Sequence, residues 1–158
     1  MRRKPHLMRA WERRGLTGGE IALGQSMFGD DIDWGNVRIV QIPAWFFYAM
    51  VPLGRTIVYA KLDAWRDFAE APAEEQGIFI HEMTHVWQAA QGRVLALAKL
   101  WALGREAYRY KMRSPSNLCD YNIESQAEIA RHLFSRRIGK PDREAPPRDW
   151  LEEIWARR

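Results

Sequence analysis

A short polar motif inside an apolar stretch constrains this chain more than any other feature of its sequence. Residues 78–88 read IFIHEMTHVWQ, so His81 and His85 stand four positions apart and Glu82 directly follows the first histidine. On a helix, residues four apart lie on one face, and the two imidazoles can therefore bind a single metal ion. Glu82 lies to the side of this pair, where it can reach a water on the metal without being a ligand. The spacing predicts the HExxH site of a metalloprotease.

The alternative is a surface helix that carries two histidines and a glutamate in solvent. The residues around the motif favour burial instead, because they make the helix apolar on most of its sides. These residues are Ile78, Phe79, Ile80, Met83, Val86 and Trp87. Buried imidazole and carboxylate groups need polar or ionic partners, and a metal ion would provide one. We therefore predict that the motif forms a buried metal site.

Cysteine usage limits the kind of metal site that this chain can build. Cys119 is the only cysteine among 158 residues, which excludes both an intrachain disulfide and a zinc site made of cysteines. A catalytic zinc ion usually has three protein ligands and one open position for water. The third ligand must therefore be a histidine or a carboxylate from elsewhere in the chain.

Two glutamates farther along the chain are candidates for this third ligand. Glu124 and Glu128 are four residues apart in a segment with helical periodicity, so they share one face of the predicted helix. We expect Glu124 to be the ligand and Glu128 to accept a hydrogen bond from the N–H of a ligand histidine. Glu128 or His132 as the third ligand remains an alternative, and so does an ordinary solvated acidic stripe.

The hydrophobic pattern predicts an α+β, helix-rich fold. We expect the HExxH helix to run between Pro72 and Gly92 and to pack with two further core helices and a small β-sheet. The other predicted elements are helices beginning at 17, spanning 93–112 and 120–138, and following Pro147, a helical turn at 63–68, and strands at 37–42 and 55–60. A chain of this length can enclose one hydrophobic core, which favours a single domain over residues 16–158.

The net charge of +4 is concentrated near the N-terminus. Residues 1–14 carry six basic side chains against one acidic residue, Glu12, whereas the rest of the chain is close to neutral. We predict a basic N-terminal arm over residues 1–15 that is solvated and at most loosely docked. The alternative is an arm that binds nucleic acid, lipid or a partner. The balanced charge of the remaining chain does not favour nucleic acid as a partner.

The apolar segments are too short for a membrane span. The N-terminal charges are not followed by an apolar run, so we predict no classical secretion signal. The longest nearly uncharged apolar run covers residues 39–53 and is interrupted by Pro43 and Pro52. We expect a cytoplasmic protein without a transmembrane segment, for which export by a dedicated apparatus is possible. The residues Trp45–Phe47 predict a core-covering loop or, alternatively, an exposed apolar contact surface.

Several segments together resemble known bacterial proteins. The HExxH motif, Glu124 and an acid four residues later resemble the gluzincin layout, in which Asp stands where this chain has Glu128. The chain is also similar to small zincin-like bacterial proteins described as Vgr-related, after components of the type VI secretion spike. The similar segments are residues 16–23, 27–30, 81–88 and 121–128. The resemblance covers roughly residues 16–138.

This resemblance implies a zinc metallopeptidase. His81, His85 and Glu124 would bind Zn²⁺, and Glu82 would be the general base for a zinc-activated water that hydrolyses a peptide or protein substrate. Tyr108, Tyr110 and His132 are candidates for stabilising the oxyanion, although a structural role is favoured for each.

A second hypothesis assigns no catalysis to the site. The chain would then be a zinc-stabilised accessory or binding protein, with a bacterial secretion apparatus as its partner. In that case the metal would hold helices together and contribute folding energy.

Overall fold

The structure of the chain is a computed structural model, which describes residues 6–44, 49–52, 54–60, 64–92, 110–111, 116–143 and 145–158. These residues form an α+β fold of helices packed around a small sheet. The helices are α1 (Gly18–Phe28), α2 (Ala73–Ala90), α3 (Ile123–Arg137) and α4 (Arg148–Ala156). The strands are β1 (Arg13–Gly15), β2 (Arg38–Gln41), β3 (Ala49–Met50) and β4 (Thr56–Tyr59). The predicted helix-rich α+β class is confirmed.

The sheet is built around the two strands that the sequence predicts. Within the described residues its strand order is β1-β2-β4-β3, with β2 and β4 parallel and both edge strands antiparallel to their neighbours. Ile39 and Ile57 pair across β2 and β4, and both are fully buried. Their neighbours along each strand are half-buried, so the alternating pattern in the sequence identifies the face that meets the core.

Helix α2 is the central helix of the fold. It contacts α1, β4 and, most extensively, α3. Pro72 stands at its N-cap, and Glu74 and Glu75 occupy the first turn, where acidic groups interact favourably with the helix dipole. Since neighbours surround the second half of α2, every residue from Phe79 to Gln88 is buried. The predicted burial of the HExxH segment follows from this central position.

The N-terminal segment differs from the predicted loose arm. Met8 is buried in the core, and its N–H donates to the carbonyl of Ala64 at 2.8 Å. Leu7 forms a β-bridge with Trp65, and β1 pairs with β2. The free edge of β2 accepts this segment because pairing satisfies its backbone groups. Residues 6–15 are therefore part of the folded structure, whereas residues 1–5 lie outside the described residues.

A buried glutamate explains how the basic segment is accommodated. Thr17 and Glu20 form the predicted capping box at the start of α1. The Glu20 carboxylate also accepts two hydrogen bonds from Arg14, at 2.6 and 2.7 Å, and one from the N–H of Phe68 at 3.0 Å. Glu20 is fully buried. One carboxylate thus joins β1, α1 and the 3-10 turn that follows β4, which a count of charges along the sequence does not reveal.

The remaining predicted elements agree with the structure to different extents. The third predicted helix is α3, and the predicted C-terminal helix is α4. The helical turn predicted at 63–68 lies later, as a 3-10 turn at Phe68–Glu70 that the Asp67 side chain caps. The predicted helix at 93–112 lies outside the described residues except for 110–111, and the Trp45–Phe47 loop lies wholly outside them. Within the described residues, no helix combines the length and apolarity needed to cross a membrane.

Replacing Glu20 tests whether the N-terminal segment is part of the folded unit. The Glu20→Gln substitution removes the charge that faces Arg14 and brings an amide N–H towards groups that are themselves donors. We expect the free energy of unfolding to fall by about 3–5 kcal/mol, measured by urea denaturation. Glu153→Gln is the matched control, because Glu153 pairs with Arg157 at 2.6 Å on the exposed surface. It should cost less than about 1 kcal/mol. Equal effects of the two substitutions would contradict the buried role of Glu20.

Candidate metal centre

Three potential ligand atoms converge between α2 and α3. Nε2 of His81 and Nε2 of His85 lie 3.3 and 3.2 Å from the same atom, Oε2 of Glu124. All three side chains are buried, with 7%, 1% and 4% of their residue surfaces exposed. Among the described residues, these three form the cluster of ligand atoms that could hold a metal ion, all within 4.8 Å of one another. The structure therefore brings together the three residues that the sequence predicts as ligands.

Local structure explains why these side chains meet. His81 and His85 lie one turn apart on α2, so their rings project from the same face. Glu124 lies in the first turn of α3. The N-cap of this helix is Asn122, and the Asn122 side chain accepts a hydrogen bond from the N–H of Ser125 at 2.8 Å. This cap fixes where α3 begins. Because α3 packs along α2, its first turn faces the histidine pair.

The geometry and chemistry of the cluster fit a divalent metal. Two imidazoles and one carboxylate are the ligand set of a common type of catalytic zinc site. In such a site the ligand atoms stand about 2.0–2.2 Å from the ion, which places them roughly 3.3–3.5 Å from one another. The two observed distances to Glu124 Oε2 are close to this range. The third distance falls within the 4.8 Å limit of the cluster.

Glu82 supplies an independent observation about this site. It is buried, with 6% of its surface exposed. Its atom Oε2 is buried without a hydrogen-bond partner among the described residues. Buried carboxylate oxygens are normally paired, because an unpaired one loses its hydration without compensation. The atom therefore indicates a partner that is neither a side chain nor a backbone group of the described structure.

Glu128 contacts His81 on the side of the ring that faces away from Glu124. Its Oε1 lies 2.8 Å from Nδ1 of His81, the ring nitrogen opposite the one that faces Glu124. Its other oxygen accepts from Nε of Arg131 at 3.1 Å. Gly77 on α2 makes room for Arg131, since a Cβ there would lie 3.3 Å from the arginine Cγ. The additional methylene of Glu128, compared with the aspartate of gluzincins, does not prevent contact with His81.

Gln88 holds the second histidine in a corresponding way. Its Oε1 lies 2.8 Å from Nδ1 of His85. The sequence pattern alone assigns no role to Gln88, although it follows His85 by three residues and thus shares its helix face. A fully buried amide beside the motif is the available signal, but the partners of its nitrogen come from α3 and cannot be read from the sequence of α2 alone.

Burial and hydrogen bonding act in opposite directions on the titrating groups. Burial alone lowers the pKa of His81, but hydrogen bonds to Glu124 and Glu128 outweigh it and raise that pKa to about 9. Burial alone raises the pKa of Glu124, but its hydrogen bonds to His81 and His85 hold that pKa far below the ordinary value. The pKa of Glu128 is lowered in the same way, by His81 and Arg131 against the effect of burial. The site therefore favours positive charge between its carboxylates.

His132 lies behind Glu128 and outside the cluster of ligand atoms. Its Nδ1 is 2.5 Å from the hydroxyl of Tyr110, and its Nε2 is 3.8 Å from Glu128 and 3.7 Å from Asp142. Burial lowers the pKa of His132. Tyr110 stacks on Trp150 of α4, at 6.0 Å between ring centroids. The described contacts of His132 and Tyr110 thus join them to each other and to α4, and their role in stabilising an oxyanion stays a prediction. Tyr108 lies outside the described residues.

Comparisons with known proteins point to one relative. No family model matches the sequence. The type VI secretion system spike protein VgrG2b of Pseudomonas aeruginosa is 37% identical over 131 residues, which are 77% of this chain. The chain spans only 13% of the length of that spike protein. The solved effector domain of Pseudomonas aeruginosa VgrG2b has a TM-score of 0.72 and 28% identity, covering 98% of this chain and 88% of that domain. The chain is thus similar to this effector domain in sequence and in fold.

The pH dependence of metal affinity tests the site. In protein stripped of metal, a proton on His81 competes with the metal for the same nitrogen, and it is held up to about pH 9. We expect affinity for Zn²⁺, measured by competition with a chelator, to rise by up to about tenfold per pH unit from pH 7 to 9 and then level off.

A second variant separates this effect from general pH dependence. Glu128→Gln removes an anion that raises the pKa of His81, so the affinity should level off at a lower pH than in the wild type. Identical pH profiles for both proteins, or a flat profile in the wild type, would count against the assigned site.

Proposed function

We propose that this chain is a zinc-dependent peptidase domain that acts in connection with a bacterial secretion system. The zinc ligands are His81, His85 and Glu124, and Glu82 is the general base for hydrolysis of a peptide bond. The observation that carries the proposal is that Oε2 of Glu82, the residue next to the ligand His81, is buried and has no hydrogen-bond partner among the described residues. A peptide or protein is the substrate class that this chemistry serves.

The position of Glu82 argues for turnover rather than for metal binding alone. Three side chains suffice to anchor an ion between α2 and α3, and none of them needs Glu82. A purely structural zinc site is closed by a fourth protein ligand, whereas a catalytic site leaves one position open. Within the described residues the cluster has three members, and the buried carboxylate of Glu82 has one oxygen without a hydrogen-bond partner there. Three ligands would leave one coordination position for a water, and Glu82 would be the base that deprotonates it.

The side chains of the site divide the chemistry among themselves. Zinc held by His81, His85 and Glu124 supplies Lewis-acid chemistry, lowering the pKa of water from about 16 to about 7 and polarising a carbonyl oxygen. Glu82 accepts the proton of the attacking water at Oε2 and returns it to the nitrogen of the leaving amine. Glu128 holds His81 at Nδ1, which keeps the ring oriented throughout. Burial of these groups limits the access of bulk water.

The secretion context of the proposal comes from the comparisons. The relative is a spike protein of a type VI secretion system, and its solved homologous part is described as an effector domain. We extend this context to the present chain and propose a component of such a secretion apparatus as its partner. Because the chain spans 13% of the spike protein, the activities of the remaining spike are not extended to it.

The second candidate is a metal-stabilised accessory domain without turnover. The comparisons support this candidate more directly than the peptidase, because the similar proteins are described as a secretion spike protein and an effector domain, without mention of hydrolysis. Its specific structural support is that the potential ligands come from two packed helices, so a bound metal would add to folding stability. This candidate gives no role to the Glu82 oxygen that lacks a partner within the described part of the chain, and for that reason we place it second.

The substitution Glu82→Gln distinguishes the two candidates. It keeps the size of the side chain but removes the proton acceptor, so hydrolysis of a peptide library should fall by about 10²–10⁴-fold while zinc stays bound. Mass spectrometry of the cleaved library reports activity, and atomic emission reports the zinc content. Glu74→Gln is the matched control, because Glu74 lies in the first turn of the same helix, away from the cluster.

Each outcome selects one function. Loss of hydrolysis in Glu82→Gln alone, with zinc retained, supports the peptidase. Zinc binding without hydrolysis in any of the proteins supports the accessory domain. Full hydrolysis by a zinc-loaded Glu82→Gln protein would exclude the mechanism.

A further inference from the structure

We infer that Gln88 and Gln126 form an amide clasp that sets the tautomer and ring direction of His85. In this inference Gln88 is a positioning residue for the metal centre, acting through His85. The inference rests on the proposed metal site and adds a pair of residues to it. Both glutamines are fully buried, Gln88 on α2 and Gln126 on α3.

The hydrogen bonds of Gln88 leave its oxygen one role. Its amide nitrogen donates to the backbone carbonyl of Ile123 at 3.0 Å and to Oε1 of Gln126 at 2.9 Å. Both N–H groups are therefore directed at acceptors, and the atom facing His85 is the acceptor Oε1. Since an acceptor requires a donor, Nδ1 of His85 carries the hydrogen. Nε2 is then the ring nitrogen left to offer its lone pair to a metal that Glu124 also binds.

The orientation of Gln126 is fixed in turn by the backbone. Its amide nitrogen donates to the carbonyl of Tyr121 at 2.7 Å, which leaves its Oε1 to accept from Gln88. Rotating either amide by 180° would place two donors or two acceptors opposite each other. The backbone carbonyls of Tyr121 and Ile123 can only accept, and they therefore fix which atom donates in every hydrogen bond of this series. The tautomer of His85 is decided by backbone geometry at the start of α3.

The clasp also connects two ligands of the proposed site. One end of Gln88 holds His85, and the other end holds the carbonyl of Ile123, the residue that precedes Glu124. A shift of α3 along α2 would therefore disturb the clasp and the ligand geometry together. Partners of metal-bound histidines typically change metal affinity by 10–100-fold when they are removed.

The two histidines are supported by chemically different groups. His81 is held by the carboxylate of Glu128, whereas His85 is held by a neutral carboxamide. A glutamate at position 88 would place a carboxylate oxygen against two other acceptors, the Ile123 carbonyl and Gln126 Oε1. Replacing Gln88 by glutamate would therefore lose both of these hydrogen bonds. The clasp therefore fixes the direction of His85 without adding a further negative charge to the site.

The substitution Gln88→Met tests the clasp, because methionine is unbranched and similar in size but neither donates to nor accepts from these partners at comparable strength. Gln76→Met is the matched control. Gln76 lies on the same helix and donates to the carbonyls of Ala69 and Ala71 at 3.1 and 2.9 Å, away from the cluster. We expect the affinity for Zn²⁺ and Co²⁺ to fall about 10–100-fold in Gln88→Met and to change less than about threefold in Gln76→Met.

The visible absorption of Co²⁺ adds a readout that a purely structural role would leave unchanged. Its ligand-field bands should shift in Gln88→Met and coincide with those of the wild type in Gln76→Met. Equal affinities and spectra for wild type and Gln88→Met would overturn the inference while leaving the metal site intact. A wild-type protein that binds neither metal would instead overturn the proposed function, and with it the role of the clasp.

A measurement on the wild type avoids dependence on a variant that could fail to fold. Long-range ¹H–¹⁵N NMR spectra of the zinc-loaded protein distinguish the two nitrogens of each imidazole. We expect hydrogen on Nδ1 of His85 and zinc on Nε2. Zinc on Nδ1, or hydrogen on Nε2, would overturn the inference whatever the variants show.

Discussion

Two histidines and a glutamate meet in the interior between α2 and α3, and the supporting groups of the site are arranged around this meeting. Two imidazole nitrogens approach one carboxylate oxygen at 3.2 and 3.3 Å, in a region that water scarcely reaches. Ionised groups in such a place are costly unless opposite charge compensates them. A proton on His81 provides part of this compensation, as its raised pKa reflects. A divalent cation would provide more, which is why the same geometry that holds a proton is suited to a metal.

The sequence predicts the cluster well because its information is local. The spacing of His81 and His85 is a property of one helix, and the apolar residues around them are enough to indicate burial. Glu124 is identified on similar grounds, as an acid on a helix face that is otherwise typical of a core. Local periodicity places such residues on faces, and the extensive packing of α2 on α3 brings those faces together. The roles of the three side chains as ligands remain predictions.

Groups whose roles depend on distant partners escape this kind of prediction. Gln88 becomes informative only when Ile123 and Gln126 are seen to accept its hydrogen bonds. The basic N-terminal segment misleads for the same reason, since the count of charges does not show that Glu20 neutralises Arg14 inside the fold. In both cases one hydrogen-bonding side chain connects segments that are far apart in sequence. Charge and polarity along a chain indicate that a partner is needed, and the fold determines which partner it is.

The step from a metal site to catalysis turns on which groups around the metal are satisfied. Glu128 is tied to His81 and Arg131, and Gln88 is tied to His85 and α3, so each supporting group uses its hydrogen-bonding capacity to orient a ligand. Glu82 differs from them because one of its oxygens is buried and unpaired among the described residues. A structural site gains nothing from such an atom and loses stability through it. A site that must accept a proton during each turnover needs it, and this difference is the reason for our proposal of a peptidase rather than a metal-stabilised scaffold.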